Sequence, residues 1–309
     1  MTATLDKLEW TTLAWGGWRM QVPGEWRPLE IEGGTARGRM VLGDGGTAVL
    51  ALVWSRATKK RHVSSDESRV TSKDKGGWSK LRVAPLPSIE GADGGIEIRY
   101  SRFITRDKTQ DARRASVCDK ALHSLGTSPP GDPIDWSVFQ TSFRVPARFD
   151  VVSRRFLPGH MAMLFRSPEG ERLVLRQAYP RQAALARRDL AGWLRSEPFG
   201  VQKRRFYPIG PAEPWSVESV GGRLDGLIRR GRRRLPAPLG WVAPRWSVGV
   251  IVEDPRLDRL LLAECESRQE QGEELVAQCL SEMNLGTVPF SGRLEKGTVP
   301  LVGGGSDRD

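Results

Sequence analysis

Cysteine is scarce and odd in number in this chain. Cys118, Cys265 and Cys279 are the only three, and no two of them form a CxxC pair. This excludes a disulfide scaffold and points to a reducing compartment, where each thiol is expected to be buried packing. Histidine is as scarce: His62, His123 and His160 are the whole complement. None has HxxxH-type spacing, and a zinc site needs about four convergent N, S or O ligands, so no metal is expected. A Ser or Cys triad also needs a histidine. His123 stands five residues from Cys118, a spacing that turns the two to different faces of a helix.

Long apolar runs are missing too. No stretch approaches the ~18 residues of a membrane span. The opening MTATLDKLEWTTLAWGGWRM has no basic start followed by an unbroken apolar segment, so it does not read as a secretory signal. The expectation is a cytoplasmic protein. Glycine is abundant but builds no phosphate loop. Gly33-Gly34-Thr35-Ala36-Arg37-Gly38-Arg39 lacks the closing Gly-Lys-Ser/Thr, and Gly91-Ala92-Asp93-Gly94-Gly95 leads into the β-like run Ile96 to Ile104 rather than a helix. Both read as turns, and no cofactor is expected. Glu253, Asp254 and Asp258 read as a solvated turn before Leu260-Leu261-Leu262. Paired catalytic carboxylates are assembled in space, and nothing in the sequence assembles them, so the expectation is no enzyme.

What the chain does have is positive charge in one place. The formal net charge is +11, and residues 148–235 alone hold 19 Lys+Arg against 8 Asp+Glu. Most of these cations are arginines, which contact phosphate and carboxylate in bidentate fashion. Lys203-Arg204-Arg205-Phe206-Tyr207 sets three cations beside two aromatics, and Arg229-Arg230-Gly231-Arg232-Arg233-Arg234 puts five arginines in six positions. Repulsion makes such runs costly unless they are solvated or meet an anion. An acidic protein partner satisfies them, and so does nucleic acid, through phosphate contacts and stacking on Phe206 or Tyr207. No apolar helical face alternates with the charges, which argues against a membrane-lying helix. Tryptophan is also abundant, with 11 residues.

The pattern of the first half returns in the second. Trp18-Arg19-Met20-Gln21-Val22 alternates as a half-buried strand does, Pro23 ends it, and Trp26 follows three residues later. Phe143-Arg144-Val145-Pro146 and Phe149 repeat this, with the prolines 123 residues apart. Gly38 to Leu42 is matched by Gly159 to Phe165, Gly43-Asp44-Gly45-Gly46 by Ser167-Pro168-Glu169-Gly170, and Thr47 to Trp54 by Arg172 to Gln177. Helix-like faces follow: Cys118, Ala121, Leu122 and Leu125, then Leu275, Val276, Cys279, Leu280 and Met283. Gly126 and Gly286 fall where helix C-caps are expected. A further helix is expected from Gln182 to Ser196, with Ala186, Leu190, Trp193 and Leu194 on one face.

The segments Pro23-Gly24-Glu25-Trp26 and Pro146-Ala147-Arg148-Phe149 resemble the P-x-x-W opening of the Mog1/PsbP/DcrB-like α/β/α sandwich proteins. That resemblance covers about a tenth of the chain. It implies a sandwich fold and a binding or assembly role, and it carries no functional residue over. The reading is therefore an α+β protein: two tandem copies of an antiparallel sheet packed with helices, an α/β sandwich arranged as a pseudo-dimer. The first copy spans 1–130 with a mobile loop at 55–80. The second spans 135–290 with a basic insertion at 198–240, and 291–309 is a disordered tail. The function expected is that of a non-catalytic binding or accessory subunit. It would contact an acidic partner through Lys203, Arg204, Arg205, Phe206, Tyr207, Arg229, Arg230, Arg232, Arg233 and Arg234. Nucleic-acid binding by the same residues is the alternative.

Overall fold

The computed structural model describes residues 8–56, 83–85, 89–90, 96–104, 107–128, 131–138, 141–195, 206–219, 222–233, 246–268, 272–282 and 284–285. Of the loop expected at 55–80, Ser55 and Arg56 are instead the end of a strand, and residues 57–80 and the expected tail lie outside the described residues. The chain opens on a hairpin, β1 (Trp10–Trp15) and β2 (Trp18–Pro23), and continues as a meander, β3 (Trp26–Gly33), β4 (Arg37–Asp44) and β5 (Thr47–Arg56). The short β6 (Val83–Pro85) and β7 (Ile89–Glu90) precede β8 (Ile96–Phe103), α1 (Lys108–His123) and β9 (Gly126–Thr127). A second hairpin, β10 (Ile134–Val138) and β11 (Thr141–Val145), leads to a second meander, β12 (Asp150–Leu157), β13 (His160–Arg166) and β14 (Arg172–Ala178). After it come α2 (Arg181–Leu185), α3 (Leu190–Arg195), β15 (Phe206–Pro208), β16 (Glu213–Ser219) and β17 (Gly222–Arg233). The described chain closes with β18 (Trp246–Asp254), β19 (Arg259–Ser267), α4 (Gly272–Ser281) and β20 (Asn284–Leu285).

These strands form three antiparallel sheets. The two hairpins share a six-stranded central sheet in the order β20-β11-β10-β1-β2-β9. The first meander extends to β3-β4-β5-β8-β6, with β7 also on β8. The second extends to β12-β13-β14-β19-β18-β17-β15, with β16 also on β17. The central order reads alike from either end: short strand, outer hairpin strand, inner hairpin strand. At its middle Ala14 stands opposite Ser137, 123 residues apart, the same spacing as Pro23 and Pro146.

The expected α+β sandwich is overturned. The described residues hold twenty strands and only four helices, of 16, 5, 6 and 10 residues. The reason lies in what covers the meanders. Each inner face needs an apolar layer, and the shared central sheet supplies it, so α1 and α4 are left at the flanks, against β2 and β5 and against β18 and β19. Nor are there two self-contained sandwiches, because one apolar cluster draws on all three sheets and both flanking helices. The expected helix over Gln182–Ser196 is broken into α2 and α3. The Asp189 carboxylate accepts the Gly192 amide at 2.6 Å, and this cap starts a new helix.

Local chemistry explains the hairpin and the core. The β1–β2 turn is Gly16-Gly17, with φ of 60° and 97°. A two-residue hairpin turn of this kind needs positive φ at both positions, which glycine adopts without strain. The alternation read in Trp18 to Val22 is a burial alternation, with Arg19 and Gln21 exposed. Trp15, Trp18, Trp54 and Trp136 are fully buried. Trp15 meets Trp136 edge-on at 4.8 Å between ring centroids, and Trp136 meets Phe165 at 5.1 Å. Each such pair adds about 0.5–1.5 kcal/mol beyond area burial. The indole N–H groups of Trp15, Trp18 and Trp136 have no hydrogen-bond partner among the described residues, a cost of about 1–3 kcal/mol each.

One buried ion pair ties the layers together. The Arg259 and Asp254 side chains are 2% and 1% exposed and meet at 2.8 Å. Asp254 also accepts the Arg256 amide at 3.2 Å, closing the β18–β19 turn. Arg259 donates to Thr141 Oγ1 at 2.9 Å, and Thr141 donates to the Gln177 side chain. The turn is thus pinned to the central sheet through Thr141 and to β14 through Gln177. The expectation of a solvated turn fails at Asp254, since its partner comes from the far side of the turn. Asp254→Ala strands a buried guanidinium, so denaturant unfolding is expected to show a loss of about 3–5 kcal/mol, while the double variant Asp254→Leu/Arg259→Met recovers most of it.

Candidate functional site

Arg229, Arg230, Arg232 and Arg233 lie on β17, inside the eight-stranded sheet, rather than in an exposed insertion. A strand sends successive side chains to opposite faces, so the run does not form one continuous patch. Arg230 and Arg232 follow Ile228 on the core side, and Arg229 follows Leu227 on the side of α3. Arg230 sits between two carboxylates, at 2.8 Å from Glu273 on α4 and 2.8 Å from Glu213 on β16. Hydrogen bonding to Glu273 and Glu213 raises its pKa above the usual arginine value. It therefore acts as a structural clamp on α4. Arg232 is exposed, with its guanidinium over the Trp246 ring at 5.1 Å. Arg229 faces the gap left by Gly249 in the register.

The strand β15 pairs antiparallel with the end of β17. Phe206 pairs with Arg233 and Tyr207 with Arg232, and the Ile209 amide donates to the Arg230 carbonyl at 3.0 Å. Lys203, Arg204, Arg205 and Arg234 lie outside the described residues, as do the side chains of Phe206, Tyr207 and Arg233. Their connection to the described strands is fixed by the chain: Arg205 precedes Phe206, and Arg234 follows Arg233.

A second feature joins the halves and was not singled out as a site from the sequence. The β3–β4 turn faces the start of β12 across a groove of about 400 Å³, lined by Gly33, Gly34, Ala36, Arg37, Asp150, Val151, Val152 and Arg154. Asp150 accepts the Thr35 amide at 2.9 Å and the Thr35 hydroxyl. Arg154 donates to the Gly33 carbonyl at 2.6 Å and to the Ile31 carbonyl, and its guanidinium lies 5.7 Å from the Trp15 ring centroid. Burial lowers its pKa. The only sequence signal here was the glycine-rich run 33–39, read as a turn.

The remaining reactive groups form no catalytic constellation among the described residues. Cys118, Cys265 and Cys279 are free and buried. His123 is exposed, with Nδ1 2.6 Å from the Asp119 carbonyl of its own helix. His160 opens β13, and His62 lies outside the described residues. Glu253 pairs with Arg181 at 2.7 Å. No group of three or more His, Cys, Asp or Glu among the described residues could hold a metal ion, and none of their helices is long and apolar enough to cross a membrane. The chain matches no protein-family model and no curated protein.

Burial pushes the Cys118 and Cys265 thiols up to about 12 and raises Cys279 as well. The reactive species is the thiolate, so a thiol reagent at pH 8 is expected to label all three only as fast as the protein unfolds. A burst of labelling in native buffer would contradict this. Burial first, and then Arg176 and Arg155, lower the pKa of His160. The unfolded chain therefore binds a proton at His160 before the folded one does. Stability should be full above about pH 6.5 and decline as pH falls from there to the folded-state value. In His160→Gln, acid-side denaturation curves should lose that part of the decline.

Proposed function

We propose that this chain is a non-catalytic binding subunit of a reducing compartment, built from two diverged copies of one unit, that holds an acidic segment of a protein partner at the β15–β17 corner. The observation that carries the partner reading is the pairing of Phe206 with Arg233. It joins the ends of two basic runs that stand more than 20 residues apart in the chain. Arg232 is held out over Trp246, which lowers the entropy lost when it meets a carboxylate. The duplicated unit is supported by the mirrored order of the central sheet and by the Ala14–Ser137 register at its middle.

A protein partner fits this corner better than nucleic acid. Glu213 and Glu273 flank Arg230 and would repel a continuous phosphate chain, whereas a peptide places its carboxylates singly. The Trp246 ring is covered by Arg232, so that face is not open for base stacking. Fluorescence anisotropy with a labelled peptide of spaced glutamates (Glu-Gly-Ser repeats) and a labelled DNA duplex separates the readings. The variant Arg229→Ser/Arg232→Ser/Arg233→Ser/Arg234→Ser, with the clamp Arg230 retained, should bind the peptide about tenfold or more weakly. Tighter binding of the duplex, with a steep salt dependence, would replace this reading with the nucleic-acid one. Equal peptide binding by variant and parent would remove the corner as the site.

A further inference from the structure

The groove beside β12 differs sharply from its counterpart in the other half. Both meanders begin with a bulged edge strand, and the bulge falls at the same place: between Pro28 and Glu30 in β3, and between Val151 and Ser153 in β12. The bulged residues Leu29 and Val152 are both large, apolar and exposed, at 38% and 50%. The turns beyond them also correspond, because Gly33 pairs with Gly38 as Phe156 pairs with Met161. This register makes Met161, not Gly159, the counterpart of Gly38. The first turn then reads Gly33-Gly34-Thr35-Ala36-Arg37-Gly38 where the second reads Phe156-Leu157-Pro158-Gly159-His160-Met161. Two glycines stand where the second half has Phe and Leu: Gly33 turns the chain at φ +78°, where a side chain would run into the Arg37 carbonyl, and Gly34 lets Asp150 and Val151 close on the turn beside the groove.

The walls of that space carry opposite charges that do not satisfy each other. Thr35 holds one oxygen of Asp150, and no described residue hydrogen-bonds to the other. The Arg37 guanidinium is exposed and forms no ion pair with any described residue, Asp150 included. Arg154 is held by backbone carbonyls at the rear. A Cβ at Gly34 would lie 2.9 Å from the Asp150 carboxylate, so glycine there keeps the wall clear. Bulges commonly lie beside functional sites and re-aim the chain around them, and the groove beside the β12 bulge is largely open to solvent, so a small ligand reaches both charged walls directly.

We propose that this groove binds a small zwitterion of the amino-acid or short-peptide type, its carboxylate on Arg37 and its ammonium on the open oxygen of Asp150. The site is separate from the β15–β17 corner and does not depend on the partner proposed there. Both charges of the ligand are used, so ligands with one charge should bind poorly.

The test is an amide-resolved NMR titration of the full chain with L-alanyl-L-alanine, with acetate and methylammonium as single-charge probes at matched ionic strength. Saturable shifts at Gly33, Gly34 and Thr35 are expected with the dipeptide and not with either single-charge probe. Asp150→Asn keeps an acceptor for Thr35 but removes the charge, and Arg37→Gln alters an exposed side chain without disturbing the fold. Each should weaken the dipeptide by about tenfold or more, the loss of one charge-assisted hydrogen bond, with an unchanged thermal melt. Absence of saturable shifts, an equal response to acetate alone, or dipeptide binding by both variants as by the parent would overturn the proposal.

Discussion

The pairing of β1 with β10 is the contact on which the rest of the molecule depends. It makes one sheet of two hairpins. That sheet is the lid of both meanders, so it replaces the helices that would otherwise have to bury them. The tryptophans of the core gather on it because large flat side chains fill the space between two twisted sheets better than small ones do. The three indole N–H groups left without partners among the described residues show how strongly burial dominates there. Their cost is outweighed by the apolar area the rings remove from water.

Much of this was legible locally. The alternation of Trp18 to Val22 and the prolines that end the hairpins are period-two signals, and the structure has strands there. Of the expected helix faces, Cys118, Ala121 and Leu122 on α1 and Leu275, Val276, Cys279 and Leu280 on α4 are buried, whereas Leu125 falls beyond the end of α1 and is half-buried, and Met283 lies outside the described residues. The layer composition was not legible. A helix face announces itself within one segment, whereas a sheet lying over another sheet is a fact about residues far apart. Gly126 shows a smaller miss of the same kind: α1 ends at His123 with Ser124 as its cap, and Gly126 lies in β9, paired with Arg19 of β2.

The charged segments misled for a different reason. Arginine carries a long apolar stem that can cover a sheet face while its head stays wet, so a strand such as β17 can be built from residues that look like a solvated loop. Its alternation is hidden because both faces hold arginine. Only the partners separate them: carboxylates for Arg230 and an indole for Arg232. Asp254 was misread by the same logic, since a turn carboxylate is normally wet and its burial requires Arg259 to be buried with it. The groove residues Arg37, Asp150 and Arg154 come from both halves, and no single stretch of sequence contains them together.

The join at Ala14 and Ser137 also sets a schedule. During synthesis the first hairpin emerges well before its neighbour exists. At translation rates of roughly 5–20 residues per second, β1 waits on the order of 6–25 seconds for β10. Throughout that interval its outer edge offers unpaired backbone groups, beside a face rich in tryptophan, to any other nascent chain. The order of synthesis thus leaves the first half with an open sheet edge, the kind of surface on which strands of different chains pair, until the second hairpin covers it.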